Sequence, residues 1–456
     1  MSDLRELSTE GRVVQPGDED WDDTRAAWNL IADQRPTAVA LVHGAADVAA
    51  VVRFAAGRRV SRRSGRLAPA IRQRAIALAT FAALLTAGCL LAANADAAQT
   101  RAASPRASDA ALQRAIDRLA SKPDGPPGIA VVVQRGRRKM FDTAGVADVR
   151  RKRAIKVSDH MRLASVAKAF SGAVALSLVA EGKLSLADTV GKWLPGLPAA
   201  WSAVTLRELL GHTSGIPDFS QTEGFGEALG KSLLVAPAPE ALLAFAPARL
   251  EFTPGSRYHY SNSDNVIVAL IAAAAGHGSY QSELQQRVVE PLGLSGTSLP
   301  ISATMPRPFV HAYVVDPPKA PEDVSELFAA GWSWASGGVV STPRDANTFV
   351  RAYVRGTLTN IPTHAAQLTF VAGSSEPAGP GANSAGLAIF RYRTRCGTVY
   401  GHTGNTAGYT QFIAANASGT RSTVVSVNAQ ITPKADAKRF AELRRIYALA
   451  VCSALA

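Results

Sequence analysis

Ser165 and Lys168 stand three residues apart, which on a helix puts a hydroxyl and an amine on one face. A neutral amine there can accept the hydroxyl proton and turn serine into a nucleophile. Tyr260-Ser261-Asn262 adds a phenol able to relay that proton and an amide able to hold a substrate carbonyl. His402-Thr403-Gly404 adds donors for an anion, and its glycine would let a substrate lie close to a strand edge. Each triplet alone is common. Together, in this order and separated by 95 and 142 residues, they describe acyl transfer by a serine that has no Ser-His-Asp triad.

These residues need elements to hold them. The apolar run from Ser165 to Glu181, closed by Gly182, reads as a helix with Ser165 at its positive end. Val166, Ala167, Ala169 and Phe170 surround Lys168, so its amine is expected inside the protein with a lowered pKa. Helices are also expected at 110–120, 265–275 and 435–454. Gly337 to Thr342 reads as a tight helix-start segment. Strands are expected at 128–135 and 138–146, and again at 385–392, 399–402, 410–415 and 422–428. His212, in His-Thr-Ser-Gly, reads as a brace at a helix end rather than a reacting group.

The chain has 456 residues, 47% of them hydrophobic, enough for a large core. Its net charge of +13 is spread out and not interleaved with aromatics, which argues against a nucleic-acid partner. Loose attraction to anionic envelope polymers fits better. Of three cysteines, Cys89 lies in an apolar run, and Cys396 and Cys452 would form one pair if the protein is exported.

Residues 75–93 (AIALATFAALLTAGCLLAA) carry no charge, follow seven arginines between 58 and 74, and precede Ala95-Asp96-Ala97. That order reads 66–97 as a secretory signal, with an uncleaved membrane anchor as the other reading. A lipid attachment at Cys89 is weaker, because the leucine of its motif falls one place early. The signal starts some 60 residues into the chain, so residues 1–65 read as a fused leader and Val60 as a candidate start. The leader resembles the opening of berberine-bridge-type FAD-dependent oxidases, through Trp21-Asp22-Asp23, Trp28-Asn29, Arg35-Pro36 and the stretch 47–55. It is too short to hold a flavin. Residues 98–108 read as a linker and 109–456 as the catalytic domain.

Residues 109–456 resemble the serine β-lactamase and penicillin-binding family, in particular its secreted actinobacterial D-alanyl-D-alanine carboxypeptidases. The likeness rests on Ser165-Val-Ala-Lys168-Ala-Phe170, Glu181-Gly-Lys-Leu-Ser-Leu, His212-Thr-Ser-Gly215, Tyr260-Ser-Asn262 and Cys396-Gly397 followed by Tyr400-Gly-His-Thr-Gly404. It implies an α/β (α+β) fold: an antiparallel five-stranded sheet flanked by helices, with an inserted, mainly helical subdomain. It implies Ser165 as the acylated nucleophile and Lys168 and Tyr260 as proton carriers. Asn262 would orient the substrate amide, and His402 and Thr403 would touch its terminal carboxylate. The amides of Ser165 and of a strand residue near Thr410 would form the oxyanion hole. Trp332 would line the site, and the spacing of Cys396 and Cys452 matches the family's disulfide. One departure stands out: where the family places a carboxylate-binding arginine, this chain has Phe390 and then Arg391, and one residue's step turns a strand side chain to the other face.

The resemblance implies a monomeric, secreted hydrolase with neither cofactor nor metal, acting on peptidoglycan stem peptides or β-lactams. It would meet the membrane only in transit or through an uncleaved signal. A β-lactamase or carboxylesterase of the same fold is the alternative within the class. A penicillin-binding sensor that acylates without turnover, and a flavin oxidoreductase suggested by the leader, are the alternatives outside it.

Overall fold

The computed structural model describes residues 12–14, 39–41 and 105–456. The chain divides into two units, 1–101 and 102–456. In the first, Arg12–Val14 and Val39–Leu41 pair as antiparallel strands. The stretch 66–97, expected as a signal, and the remaining residues before 105 lie outside the described residues.

The second unit is built on an eight-stranded antiparallel sheet. Its strands are β1 (Gly128–Arg135), β2 (Arg138–Gly145), β3 (Val371–Ala372), β4 (Ala382–Ala385), β5 (Phe390–Thr394), β6 (Gly397–Thr406), β7 (Tyr409–Ala415) and β8 (Arg421–Val427). They lie in the order β2-β1-β8-β7-β6-β5-β4-β3. The expected five strands are therefore extended at one edge. The stretch 385–392, expected as one strand, is a hairpin: Gly386 N donates to Ile389 O, and Ala388 takes φ 54° to turn the chain between β4 and β5. Its apolar residues are buried in the turn as well as in the strands, so hydrophobicity alone hid the break.

Both faces of the sheet are covered. On one lie α1 (Pro105–Ala120) and the C-terminal α8 (Ala437–Leu455). Leu112, Ile116 and Leu119 of α1, with Leu443, Ile446, Tyr447 and Ala450 of α8, pack on Ile129, Val131, Val133 and Phe412. Helix α1 begins at Pro105, inside the stretch read as linker, and already buries Ser108. The other face meets α2 (Ala167–Ala180), α5 (Asn262–Gly276) and α7 (Pro343–Val354). Phe170 of α2 stacks on Phe349 of α7 with ring centroids 3.6 Å apart. Nearly every residue of α2 and α5 is buried, which is why their sequences lack a polar stripe. Short helices α3 (Leu206–Leu210), α4 (Glu223–Lys231) and α6 (Trp334–Gly337) lie in the region between α2 and α7. Gly337, expected to start a helix, ends α6; α7 starts later, where the Thr342 side chain accepts from Asp345 N.

Cys396, just ahead of β6, and Cys452 in α8 form a disulfide with Cα atoms 5.1 Å apart. It ties the strand that carries the third motif to the helix behind it. Closing a loop of this length is worth about 4 kcal/mol in the chain-entropy treatment. Double replacement by serine is expected to lower unfolding stability by up to that amount. Mass spectrometry of the oxidised protein should show no alkylation of these two thiols until a reductant is added; alkylation without reductant would refute the pair.

Candidate active site

A short strand, Met161–Arg162, pairs with Val340–Ser341 and leads into a 3-10 turn, Ala164–Val166, that opens α2. Buried Arg162 anchors it, donating to the carbonyls of Ala303 and Phe328. From Met161 to Phe170 every residue is buried except Ser165, which is partly exposed. The fold thus presents one hydroxyl through an otherwise closed wall. Ala164, immediately before it, has φ 50°, a conformation costly for any residue with a Cβ. His212 (φ 53°) and Trp334 (φ 36°) share this feature and flank the same site.

Lys168 is fully buried. Its Nζ donates to Ser165 Oγ at 3.1 Å, Asn262 Oδ1 at 2.6 Å and Ser336 O at 2.8 Å. Burial lowers its pKa to about 7, with Asp218, Glu376 and Asp264 pulling the other way. An amine with that pKa is partly neutral at working pH and can take a proton from Ser165. Asn262 is itself held: its Nδ2 donates to Asp218 Oδ2 and Ser220 Oγ, both at 2.9 Å. Asp218, Ser220 and the Ser336 carbonyl carry no motif signature and were not read from the sequence. An Asp-x-Ser turn six residues past His212 is the one hint: Asp218 caps Phe219–Gln221 through Ser220 N.

Tyr260 lies over Lys168, with Nζ 4.9 Å from its ring centroid. Its hydroxyl is buried beside the Ser165 side chain. Burial raises its pKa well above 10, while Ser165 nearby acts the other way, so the phenol keeps its proton. His212 packs on Tyr260 with centroids 4.5 Å apart, and its Nδ1 is hydrogen-bonded to Asp264 Oδ2 at 2.9 Å. Burial, helped by Lys168, lowers its pKa to about 3, so it is a neutral brace. Burial raises Asp264 in turn, and Ser214 donates to its other oxygen.

The third motif lies on β6. Gly404 is required by the protein's own packing. A Cβ there would collide with the Leu163 carbonyl and stand 3.1 Å from the amides of Ser165 and Val166. The close neighbour is the protein's own nucleophile turn. The strand backbone beside the Ser165 amide is therefore that of Gly404. Thr410 lies one strand further, opposite Asn405, and its hydroxyl is committed to Ala429 O and Ile431 N.

His402 is fully buried, its Nδ1 2.6 Å from Thr403 O and its ring edge-on to Phe390. Burial, with Lys168 and His212 adding to it, lowers its pKa to about 3. The ring therefore carries no charge near neutral pH, and any contact of His402 with a substrate carboxylate is that of a neutral imidazole. Thr403 Oγ1 donates to Pro377 O at 2.5 Å. Trp332 is only 3% exposed, its indole N–H donating to Ser232 O and its ring edge-on to Phe225; it belongs to the wall behind the site. Arg391 stacks on Phe370, with Cζ 4.5 Å from the ring centroid, and its Nε donates to Ser384 Oγ at 3.0 Å. Ser165, Lys168, Tyr260, Asn262 and Gly404 are thus brought together, and Arg391 is held apart from them. Among the described residues no group of three or more His, Cys, Asp and Glu side chains is placed to hold a metal ion.

The profile of the family described as Beta-lactamase matches residues 112–448. The chain belongs to the beta-lactamase family. Its relatives include proteins named as a penicillin-binding protein and as a beta-lactamase. A penicillin-binding protein of Bacillus subtilis (strain 168) is 31% identical over 158 residues, 34% of this chain and 33% of that protein. The D-alanyl-D-alanine-carboxypeptidase/endopeptidase AmpH of Escherichia coli (strain K12) is 27% identical over 237 residues, 50% of this chain and 58% of AmpH. These alignments span between a third and three fifths of those relatives' own length. A solved D-stereospecific amidohydrolase from Streptomyces sp. is 29% identical with a TM-score of 0.64, covering 74% of this chain and 98% of that one. The leader at 1–65 lies outside the family match.

Proposed function

We propose that this chain is an exported serine enzyme that opens amide bonds beside D-configured residues by way of an acyl-enzyme. Peptidoglycan stem peptides and β-lactams are the natural members of that substrate class. The observation that carries the reading is the Lys168 amine, buried and bonded at once to Ser165 and Asn262. As Ser165 Oγ attacks the carbonyl, its proton passes to neutral Lys168. The ammonium returns a proton through Tyr260 to the departing nitrogen, so the amide C–N bond breaks and an ester to Ser165 remains. Water then takes the acyl group, and Oγ regains its proton. Amides of Ser165 and of the β6 backbone near Gly404 supply the donors for the oxyanion. The activities for which AmpH and the Streptomyces amidohydrolase are named support the D-configured amide.

Export rests on the signal-like stretch at 66–97. Among the described residues no helix is long and apolar enough to cross a membrane. Residues 98–456, incubated separately with a D-alanyl-D-alanine peptide, a D-amino-acid amide, a penicillin and a short ester, should hydrolyse a D-amide fastest. A higher rate for the ester or the penicillin would instead make the chain an esterase or β-lactamase of the same fold. Acylation by penicillin with no turnover of any substrate would make it a sensor.

A further inference from the structure

The charged groups bearing on Lys168 are Asp218, Glu376 and Asp264, all of them acids. Two have assigned work. Asp264 is buried and bonded to Ser214 and His212. Asp218 holds Asn262 and Ser220. Glu376 has none: among the described residues it makes no hydrogen bond and no ion pair, and it is exposed.

Its position is nevertheless fixed from both sides. Tyr258, two residues ahead of Tyr260, donates to Ser374 O at 2.5 Å. Ser375 Oγ is 3.0 Å from Tyr392 Oη. On the far side Thr403 donates to Pro377 O at 2.5 Å. The loop is thus tied to the second motif before Glu376 and to the third motif after it. The carboxylate between these ties acts on Lys168, Tyr258 and Tyr260. Partial desolvation and then Asp218 raise its own pKa, with His259 and Lys168 acting against them. A carboxylate crowded by another acid and left without a partner gains most from a cation that arrives with the ligand.

The complementary observation concerns positive charge. A substrate that ends in a carboxylate needs a fixed cation. His402 is neutral and Arg391 is drawn onto Phe370 and Ser384. Lys168 is committed to the chemistry. The charge of the site therefore suits a ligand bearing an amine. In an amino-acid amide the ammonium lies two bonds from the scissile carbonyl, so it stays within reach of a group that acts on both Lys168 and Tyr260.

We propose that Glu376 is a specificity residue that receives a free amino group on the acyl side of the substrate. The preferred substrates are then D-amino-acid amides and short peptides with a free D-residue amine, ahead of peptides recognised through a terminal carboxylate. This rests on the serine-hydrolase reading above.

The test compares D-alanine p-nitroanilide with N-acetyl-D-alanine p-nitroanilide in wild type and in Glu376→Gln, reading the ratio of kcat/KM within each enzyme. Wild type should favour the free amine by at least roughly tenfold, the size of one charge-assisted contact. Glu376→Gln should bring the ratio near one, through KM, and Glu376→Asp should keep part of it. A merely structural role would scale both substrates equally and leave the ratio alone. An unchanged ratio in Glu376→Gln, or a wild-type preference for the acetylated substrate, overturns the proposal while leaving the serine-hydrolase reading intact. If neither substrate, nor a penicillin, acylates wild type, both fall.

Discussion

Ser165→Ala is expected to abolish covalent labelling by a fluorescent penicillin and to leave the fold in place. The alanine fits the 3-10 turn as well as serine does, and the hydroxyl's neighbours are the Lys168 amine and the Tyr260 side chain. Neighbouring groups keep their anchors: Lys168 retains Asn262 and the Ser336 carbonyl. The loss in turnover should be on the order of 10^6-fold, the scale set by removing a serine hydrolase's nucleophile. Thermal unfolding should shift little, because the side chain is small and partly exposed. Intact mass after incubation with penicillin decides the matter. A mass increment that persists in the alanine variant would place the nucleophile elsewhere. In wild type, the rate at which the increment disappears also separates an enzyme from a sensor that never releases its acyl group.

The sequence made the reacting atoms legible because their chemistry fixes their types. Ser165, Lys168, Tyr260 and Asn262 each come from a short motif, and three tight contacts unite two of those motifs at Lys168. The main helices were legible too, since α2 and α5 are apolar throughout and end at Gly182 and His277 in left-handed conformation. What stayed hidden depends on pairings that no local pattern encodes. Asp218 touches Asn262 across 44 residues, and Ser336 offers Lys168 a carbonyl that any residue type would supply. The Phe390–Arg391 step was visible, but only the structure shows Arg391 laid on Phe370. His402 reads in the sequence as a donor for an anion, and nothing local tells its exposure; full burial, with Lys168 adding to it, makes it neutral. That Gly404 must also clear the backbone of Leu163, Ser165 and Val166 is a long-range fact no local pattern holds.

The pH profile of acylation follows from these burials. The working base is neutral Lys168, whose pKa lies at about 7 because burial disfavours its charge. The acylation rate with an uncharged ester should therefore fall about tenfold per pH unit below that value and level off above it. Neither histidine of the site nor Tyr260 adds a second limb between pH 5 and 9. His212 and His402 titrate at about 3, and Tyr260 is held well above 10. Lys168→Arg preserves a cation that cannot give up its proton, and Lys168→Ala removes the base; each should cost roughly 10^2- to 10^4-fold in acylation. Asp218→Asn takes away an acid that favours the ammonium and keeps an oxygen for Asn262 Nδ2. Its midpoint should move to lower pH than that of wild type. Stopped-flow acylation from pH 5 to 9 reads both effects. A wild-type limb centred near 10, or a profile that survives Lys168→Arg unchanged, would mean that Lys168 is not the base. A midpoint that rises in Asp218→Asn would mean that the buried acids do not hold the amine's proton.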